Sequence, residues 1–325
     1  MLKAISSTNQ HCSIEEVTKY GFQLSVAIEA ARLGGNIIKN KQNKMKLDVS
    51  TKVNDADLVT QVDKEVEQVI TRFIRQHFPC DLIIGEEEFS STSISSDNNQ
   101  IKKKSNTHDD QNKIPSNKNV WCIDPIDGTT NFVHNFPMVN VSIGYCAAVT
   151  EEMSASTKRS CQPTVGVIFN PFLNEMYHAE RGHGAYCNGK PIHVDHTSNK
   201  LSNCLLINNI GHTRRLDFIE ESTKRVSKWL QAGLRGFRST GSAAQNMAYV
   251  ACGKVSCFYE HGFGGPWDVC AGIVLIQEAG GVVKDAVSSD DLILCNGKGS
   301  VCCGNAKIVK EVLKVAGVPQ VKFVN

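Results

Sequence analysis

The sequence has no apolar run approaching the ~20 residues that a membrane-spanning helix needs. Its first residues, 1–13, are polar and lack the apolar core of a secretion signal. Both absences lead to the expectation of a cytoplasmic protein with no membrane partner. The formal net charge is only +2, which excludes the strongly basic surface of a nucleic-acid binder. The thirteen cysteines include no Cys-x-x-Cys pair, so zinc-ligand spacing is missing. Free thiols buried as small hydrophobes in a reducing compartment are expected instead. The chain also lacks a P-loop, a Gly-x-Ser-x-Gly elbow and a dinucleotide fingerprint. Walker-type nucleotide hydrolysis, serine hydrolysis and hydride transfer are thereby left without a motif, and no internal repeat is present.

What the sequence has is ordinary globular composition, 41% hydrophobic and 21% charged over 325 residues, enough for a large core in one or two domains. The most informative stretch is residues 120–132. An apolar run, 120–123, delivers Asp124. Pro125 is expected to end the strand there, since it cannot donate a ladder hydrogen bond. Asp127, Gly128, Thr129 and Thr130 follow, with a helix expected to begin near Asp127. Gly128 lets the backbone approach a ligand closely, and free N–H groups at a helix start favour an anion. Two carboxylates three residues apart beside such a turn point to a divalent cation held by oxygen, with phosphate bridging to it.

Elsewhere, Ser13 and Glu16 form a capping-box pattern ahead of a helix reaching about residue 39, with Val17, Leu24, Ala27, Ala31 and Ile38 on its apolar face. Thr60 and Asp63 mark a second helix start, followed by Val62, Val66, Val69, Ile70, Phe73 and Ile74. On spacing alone Asp63 is a helix-dipole partner, worth ~0.3–1 kcal/mol. Residues 82–84 read as a buried strand ending at Gly85 and three acids, Glu86 to Glu88. Residues 90–119 are too polar to repay their own ordering and read as a disordered surface insertion. Downstream, strands are expected near 139–149, 164–169, 175–179, 184–187, 205–209, 235–239, 255–260, 282–284 and 301–303. Helices are expected over 214–230, from Gly241, over 269–279 with Pro266 and Asp268 in its first turn, and over 306–315. The class is α+β, with layered sheets and helices.

Asp124-Pro-Ile-Asp127-Gly-Thr-Thr resembles the first signature of the inositol monophosphatase family. Gly85-Glu86-Glu87 resembles its upstream acidic motif, and Pro266-Trp-Asp268-Val-Cys-Ala-Gly272 with Glu278-Ala-Gly-Gly281 its second signature. The resemblance runs from about residue 14 to 316 outside the insertion. It implies one catalytic domain over 14–316, in two sub-halves (roughly 14–200 and 201–316). It also implies a layered α-β-α-β-α sandwich, a homodimer, and a phosphomonoesterase that uses two to three Mg²⁺ ions and is inhibited by Li⁺. By that resemblance Glu86, Asp124, the Ile126 carbonyl, Asp127 and Asp268 are metal ligands. Thr129 orients the attacking water, with Asp63 as its partner carboxylate and Glu86 joining the catalytic set. Gly128 and Thr129 contact phosphate through backbone N–H groups. Asp127, Ala243, Glu260 and Asp268 contact the substrate, and Lys52 stands near the site. The chain departs from the pattern between Glu260 and Asp268, a Gly-rich stretch that looks one residue longer, with Pro266 where Cys is common.

The expected reaction is Mg²⁺-dependent hydrolysis of myo-inositol monophosphate by metal-activated water, which needs no Ser, Cys or His nucleophile. His134 and His261 lie near the motifs, but hard Mg²⁺ prefers oxygen. The alternatives are hydrolysis of 3′-phosphoadenosine 5′-phosphate or a sugar phosphate, and a catalytically silent protein that binds metal or inositol phosphate.

Overall fold

The computed structural model describes residues 21–42, 49–51, 58–88, 118–149, 161–211, 213–294 and 299–318. The Ser13–Glu16 cap, Val17, Lys52 and nearly all of the 90–119 insertion lie outside the described residues. Helix α1 (Phe22–Gln42) opens the described chain and buries Leu24, Ala27, Ala31 and Ile38, the face its spacing predicts. A small hairpin, β1 (Val49–Thr51) and β2 (Leu58–Thr60), leads into α2 (Gln61–His77). Val62, Val66, Ile70 and Ile74 of α2 are buried together with two acids, Asp63 and Glu67. Those aliphatics recur every four residues, so they form one stripe, and Ile70→Ala would cost ~2–5 kcal/mol.

Strand β3 (Leu82–Gly85) pairs in parallel with β4 (Val120–Asp127). Strand β4 does not stop at Pro125 as expected. It continues to Asp127, paired with β5 (Asn140–Ala147), through a register shift between Asp124 and Asp127. The irregularity leaves Pro125 out of the ladder, which is how a strand tolerates the missing donor. The short helix α3 (Thr129–Val133) follows Gly128, whose φ of 97° places it in the left-handed region. A Cβ there would lie 2.7 Å from the Met138 carbonyl oxygen, so glycine is needed twice over. Strands β6 (Gln162–Asn170), β7 (Glu175–Glu180), β8 (Ala185–Cys187) and β9 (Lys190–Pro191) complete a seven-stranded sheet as an antiparallel meander. The expected Asn188-Gly189 turn is present, with φ of 48° and 75°.

The second half builds a five-stranded sheet. Its elements in chain order are β10 (Leu205–Asn209), α4 (Leu216–Gln231), β11 (Gly236–Arg238), α5 (Ala243–Ala251), β12 (Cys257–Phe263), α6 (Pro266–Glu278), β13 (Val282–Lys284), β14 (Gly299–Gly304) and α7 (Ala306–Ala316). The strand order is β11-β10-β12-β14-β13, with β10 parallel to both neighbours and β14 antiparallel to its own. Strand β12 runs past its expected end at Glu260 to Phe263, shifting register between His261 and Phe263, and helix α6 begins at Pro266 with Asp268 in its first turn, as the sequence predicts.

Three interior clusters order these elements as five layers. Helices α1 and α2 cover one face of the larger sheet through Trp121, Ile123, Val141 and Ile143. Helices α5 and α6 lie between the two sheets, against Cys122 and Tyr177 on one side and Ile207 and Phe258 on the other. Helices α4 and α7 cover the outer face of the smaller sheet, around Trp229, Tyr259 and Cys302. This is the expected α-β-α-β-α sandwich. Helix α6 is apolar nearly all round because both its sides face sheets. No helix among the described residues is long and apolar enough to cross a membrane.

Candidate active site

The strand ends and helix starts converge on a cavity of about 450 Å³. Its wall includes Glu86, Asp127, Gly128, Thr129, Ala243, Glu260 and Asp268, so seven of the residues expected at the site share one opening. Asp124, Asp63 and Ile126 sit behind that wall, all buried. Lys52 lies outside the described residues. His134 and His261 do not line the cavity. The His261 ring instead meets Phe218 and the Arg225 guanidinium, and burial together with that cation lowers its pKa.

Asp124, Asp127 and Asp268 are each held by backbone or hydroxyl donors. The Ile126 N–H donates to Asp124 Oδ1 at 3.1 Å, across the irregular turn of β4. Asp127 sits at the head of α5. It accepts from Ser242 Oγ at 2.5 Å, Ala243 N at 3.1 Å and Ala244 N at 2.7 Å. An acid facing free N–H groups and the positive end of a helix is well placed electrostatically. Asp268, in the first turn of α6, accepts from Gly264 N at 2.5 Å and Gly265 N at 3.1 Å. The Gly-rich stretch therefore cradles the acid that follows it. Thr129 Oγ1 lies 3.1 Å from Asp63 Oδ1 and 3.2 Å from the Ile126 carbonyl oxygen, so its one proton serves either acceptor.

The carboxylates strain against one another. Burial first, then the charges of Glu86, Asp127 and Asp268, hold the Asp124 carboxyl well above its usual range. Burial and the charges of Glu86, Asp127 and Glu260 do the same to Asp268. Burial lifts Asp127 to about 6, despite the donors of α5. Glu260, on β12, rises to about 8 through burial and the Asp127 charge, opposed by an Asn209 donor at 3.3 Å. A buried group of acids that resist ionisation suits a bound cation, whose charge would offset their repulsion.

Sequence reasoning missed several supporting residues. Glu67, one turn after Asp63 on α2, accepts from the N–H groups of Glu87 and Glu88, both at 2.8 Å. It fixes the turn that presents Glu86. Its signal was available: an acid four residues after Asp63 falls on the buried side of an amphipathic helix. Asn131 ties α3 to the turn before α5, donating to the Met138 and Thr240 carbonyls, both at 2.8 Å. Asn209 joins Glu260 to the Gly241 N–H. Arg214 is the one basic side chain among the described residues lining the cavity, and no spacing rule pointed to it.

The chain's similarity to known proteins runs over most of its length. The sequence model described as the inositol monophosphatase family matches residues 22–316. An inositol monophosphatase of Mesembryanthemum crystallinum is 37% identical over 270 residues, covering 82% of this chain and 86% of that protein. Inositol monophosphatase 3 of Solanum lycopersicum is 39% identical over 267 residues, covering 82% and 87%. Among solved structures, the Thermotoga maritima IMPase superposes with a TM-score of 0.70 at 29% identity, covering 91% of this chain and 96% of that one.

Proposed function

The chain belongs to the inositol monophosphatase family, and we propose that the acidic cavity is its active site, with Mg²⁺ as the cofactor. The protein is a phosphoric monoester hydrolase, and inositol monophosphate is the substrate its family and relatives support. One observation carries the assignment of the site. Glu86 from the end of β3, Asp124 and Asp127 from β4, and Asp268 from α6 come to one place, where burial and neighbouring charges oppose the ionisation of the three aspartates.

The donor set fits hard divalent cations. Every acidic side chain lining the cavity offers oxygen, and neither His nor Cys lines it among the described residues. Glu86, Asp124, Asp127, Asp268 and the Ile126 carbonyl would hold two to three Mg²⁺ ions. Bound there, the ions would offset the charge of the phosphate dianion and supply a water of lowered pKa. The Thr129 hydroxyl, oriented by Asp63, positions that water for attack. Gly128 and Thr129 offer the turn's N–H groups to phosphate. Ala243, Glu260 and Asp127 on the cavity wall would contact the ester's ring hydroxyls. The cavity draws walls from both sheets, so residues 14–316 are proposed to act as one catalytic unit, with residues 90–119 as an insertion outside it. Li⁺ inhibition and a homodimer are proposed on the family resemblance. The free state of all eleven described cysteines supports a reducing, cytoplasmic location.

Arg214 favours a second reading of the substrate. A guanidinium on the cavity wall would suit a second anionic group, as in 3′-phosphoadenosine 5′-phosphate or fructose 1,6-bisphosphate. The test is phosphate release from inositol 1-phosphate and from those two esters, with Mg²⁺ and with or without Li⁺. Preference for the inositol ester, lost without Mg²⁺ and suppressed by Li⁺, is the expected result. Preference for a bisphosphate would move the assignment to the second reading. Absence of turnover in protein that binds Mg²⁺ would make the chain a silent binder.

A further inference from the structure

Beneath the acidic cavity, three thiols meet. Cys122 on β4, Cys146 on β5 and Cys270 on α6 place their sulfurs within 4.8 Å of one another, and all three are buried. The Sγ atoms of Cys146 and Cys270 are 3.5 Å apart, and Cys122 contacts both. Cys161, buried just before β6, touches the Cys146 thiol as well. The approach of helix to sheet depends on Gly144 of β5, since a Cβ there would lie 2.4 Å from Cys270 Sγ. Three elements from both halves of the chain thus aim sulfur at one point.

We propose that Cys122, Cys146 and Cys270 bind one soft d¹⁰ cation of the Zn²⁺ class, at a site separate from the hard-cation site of the cavity. With Zn–S bonds of about 2.3 Å, ligand sulfurs around one ion stand about 3.8–4.0 Å apart. The 3.5 Å pair and the 4.8 Å bound bracket that spacing. Thiolate selects zinc-like ions and rejects Mg²⁺, and carboxylate does the reverse. The Cys161 thiol can donate to Cys146 and offset the remaining negative charge. The site is closed, so the ion would enter as the chain folds, and loading would be coupled to folding.

The other close thiol pair supplies a contrast. Cys257 and Cys302 lie 3.7 Å apart on neighbouring strands. They belong to no group of three potential ligands among the described residues. Two neighbouring thiols are ordinary packing in a chain with thirteen cysteines. A triad drawn from three elements is a ligand set.

The experiment uses the full chain, with Cd²⁺ as a spectroscopic stand-in. Protein is unfolded in chelator, refolded with Cd²⁺ and exchanged into excess Mg²⁺ to clear the carboxylates. The proposal requires sulfur-to-cadmium charge-transfer absorption at one equivalent per chain, which carboxylate ligation does not give. Cys146→Ala should lower the affinity at least tenfold, and Cys257→Ala should leave it unchanged. Circular dichroism identifies the folded variants. Should Cys146→Ala not fold, Cys146→Ser replaces it, and the wild-type absorption and stoichiometry are decisive by themselves. Folded wild-type protein without the absorption would overturn the proposal. So would equal absorption in Cys146→Ala, or mass spectrometry showing the wild-type triad joined by a disulfide before Cd²⁺ is added.

Discussion

Strand β4 and helix α6 each carry potential metal ligands at two depths, and the two depths behave differently. Near the cavity, β4 ends in Asp124 and Asp127, while α6 begins at Pro266 with Asp268 in its first turn. One step deeper, Cys122 on the strand and Cys270 on the helix meet Cys146. Side chains two apart on a strand share a face, about 6.6 Å apart along it, so Cys122 and Asp124 point into the same layer. The oxygens are charged groups that burial penalises, and they repel one another. A thiol at its ordinary pKa is a neutral small hydrophobe that buries at little cost; here Cys146 and Cys270 stay protonated, and their hydrogen bonds lower Cys122 to about 5. The same scaffold thus supports a cluster that calls for a cation and a cluster that can persist without one. What separates them is the ionisation of the ligand, not the fold that holds it.

The largest test of that contrast is Asp268→Asn. As a metal ligand, its loss should lower turnover by roughly 10²–10³-fold even with ample Mg²⁺. The same change removes one of the mutually repelling charges, so the metal-free variant should melt above the metal-free parent at neutral pH. Phosphate release and calorimetry in EDTA measure the two effects. Near-normal turnover at limiting Mg²⁺ would take Asp268 out of the ligand set.

Thr129 comes next. Its hydroxyl is shared between Asp63 and the Ile126 carbonyl. Thr129→Val keeps the shape and removes the donor, and should cost about 10–100-fold in kcat, the scale of losing a group that orients a ligand. Thr129→Ser should restore most of it. Equal losses in both variants would point to packing rather than to the hydroxyl.

Chelation at different pH values sharpens the electrostatic half. A carboxyl whose folded pKa exceeds its unfolded one contributes stability below the unfolded value, and that stability is lost as pH rises through the folded value. For Asp127 the window runs from 3.8 to about 6, and for Glu260 from 4.5 to about 8. The Tm of chelated protein should therefore fall as pH climbs from about 4 to about 8, and Mg²⁺ should flatten the fall. A flat profile in EDTA would mean that the acids relax apart without a cation. Burial holds the Cys257 thiol well above its ordinary pKa, so it stays neutral across this range, and Cys257→Ala should lower the whole curve without tilting it.

How much of this the sequence disclosed follows from where each signal is written. The four acids proposed as ligands were legible because each lies in a short local pattern at or near the end of an element, and the helical stripes of α1 and α2 were legible for the same reason. The continuation of β4 through Pro125 was not, because a register shift depends on the partner strand β5. The grip of α5 on Asp127 joins residues 116 and 117 apart, so Ala243 could be named but not its N–H contact. The thiols were read one by one as packing residues. Their convergence is a property of the helix layer between two sheets and has no spacing of its own.

The smallest effect is expected at Glu260, where the site's role turns from chemistry to choice of substrate. Glu260 is buried on β12, touches Asn209 and lines the same cavity as Gly128 and Thr129. Glu260→Gln keeps the shape and removes the charge. If the residue recognises a ring hydroxyl, KM for inositol 1-phosphate should rise a few-fold, within the ~1.4 kcal/mol that a factor of ten represents. The kcat should stay within about twofold, the signature of lost uniform binding. p-Nitrophenyl phosphate has no such hydroxyl and should be hydrolysed as before. A matching loss on both esters would instead place Glu260 among the residues that steady the metal site, since its charge already bears on Asp268. The boundary between the cation-demanding cluster and the substrate wall would then lie beyond β12.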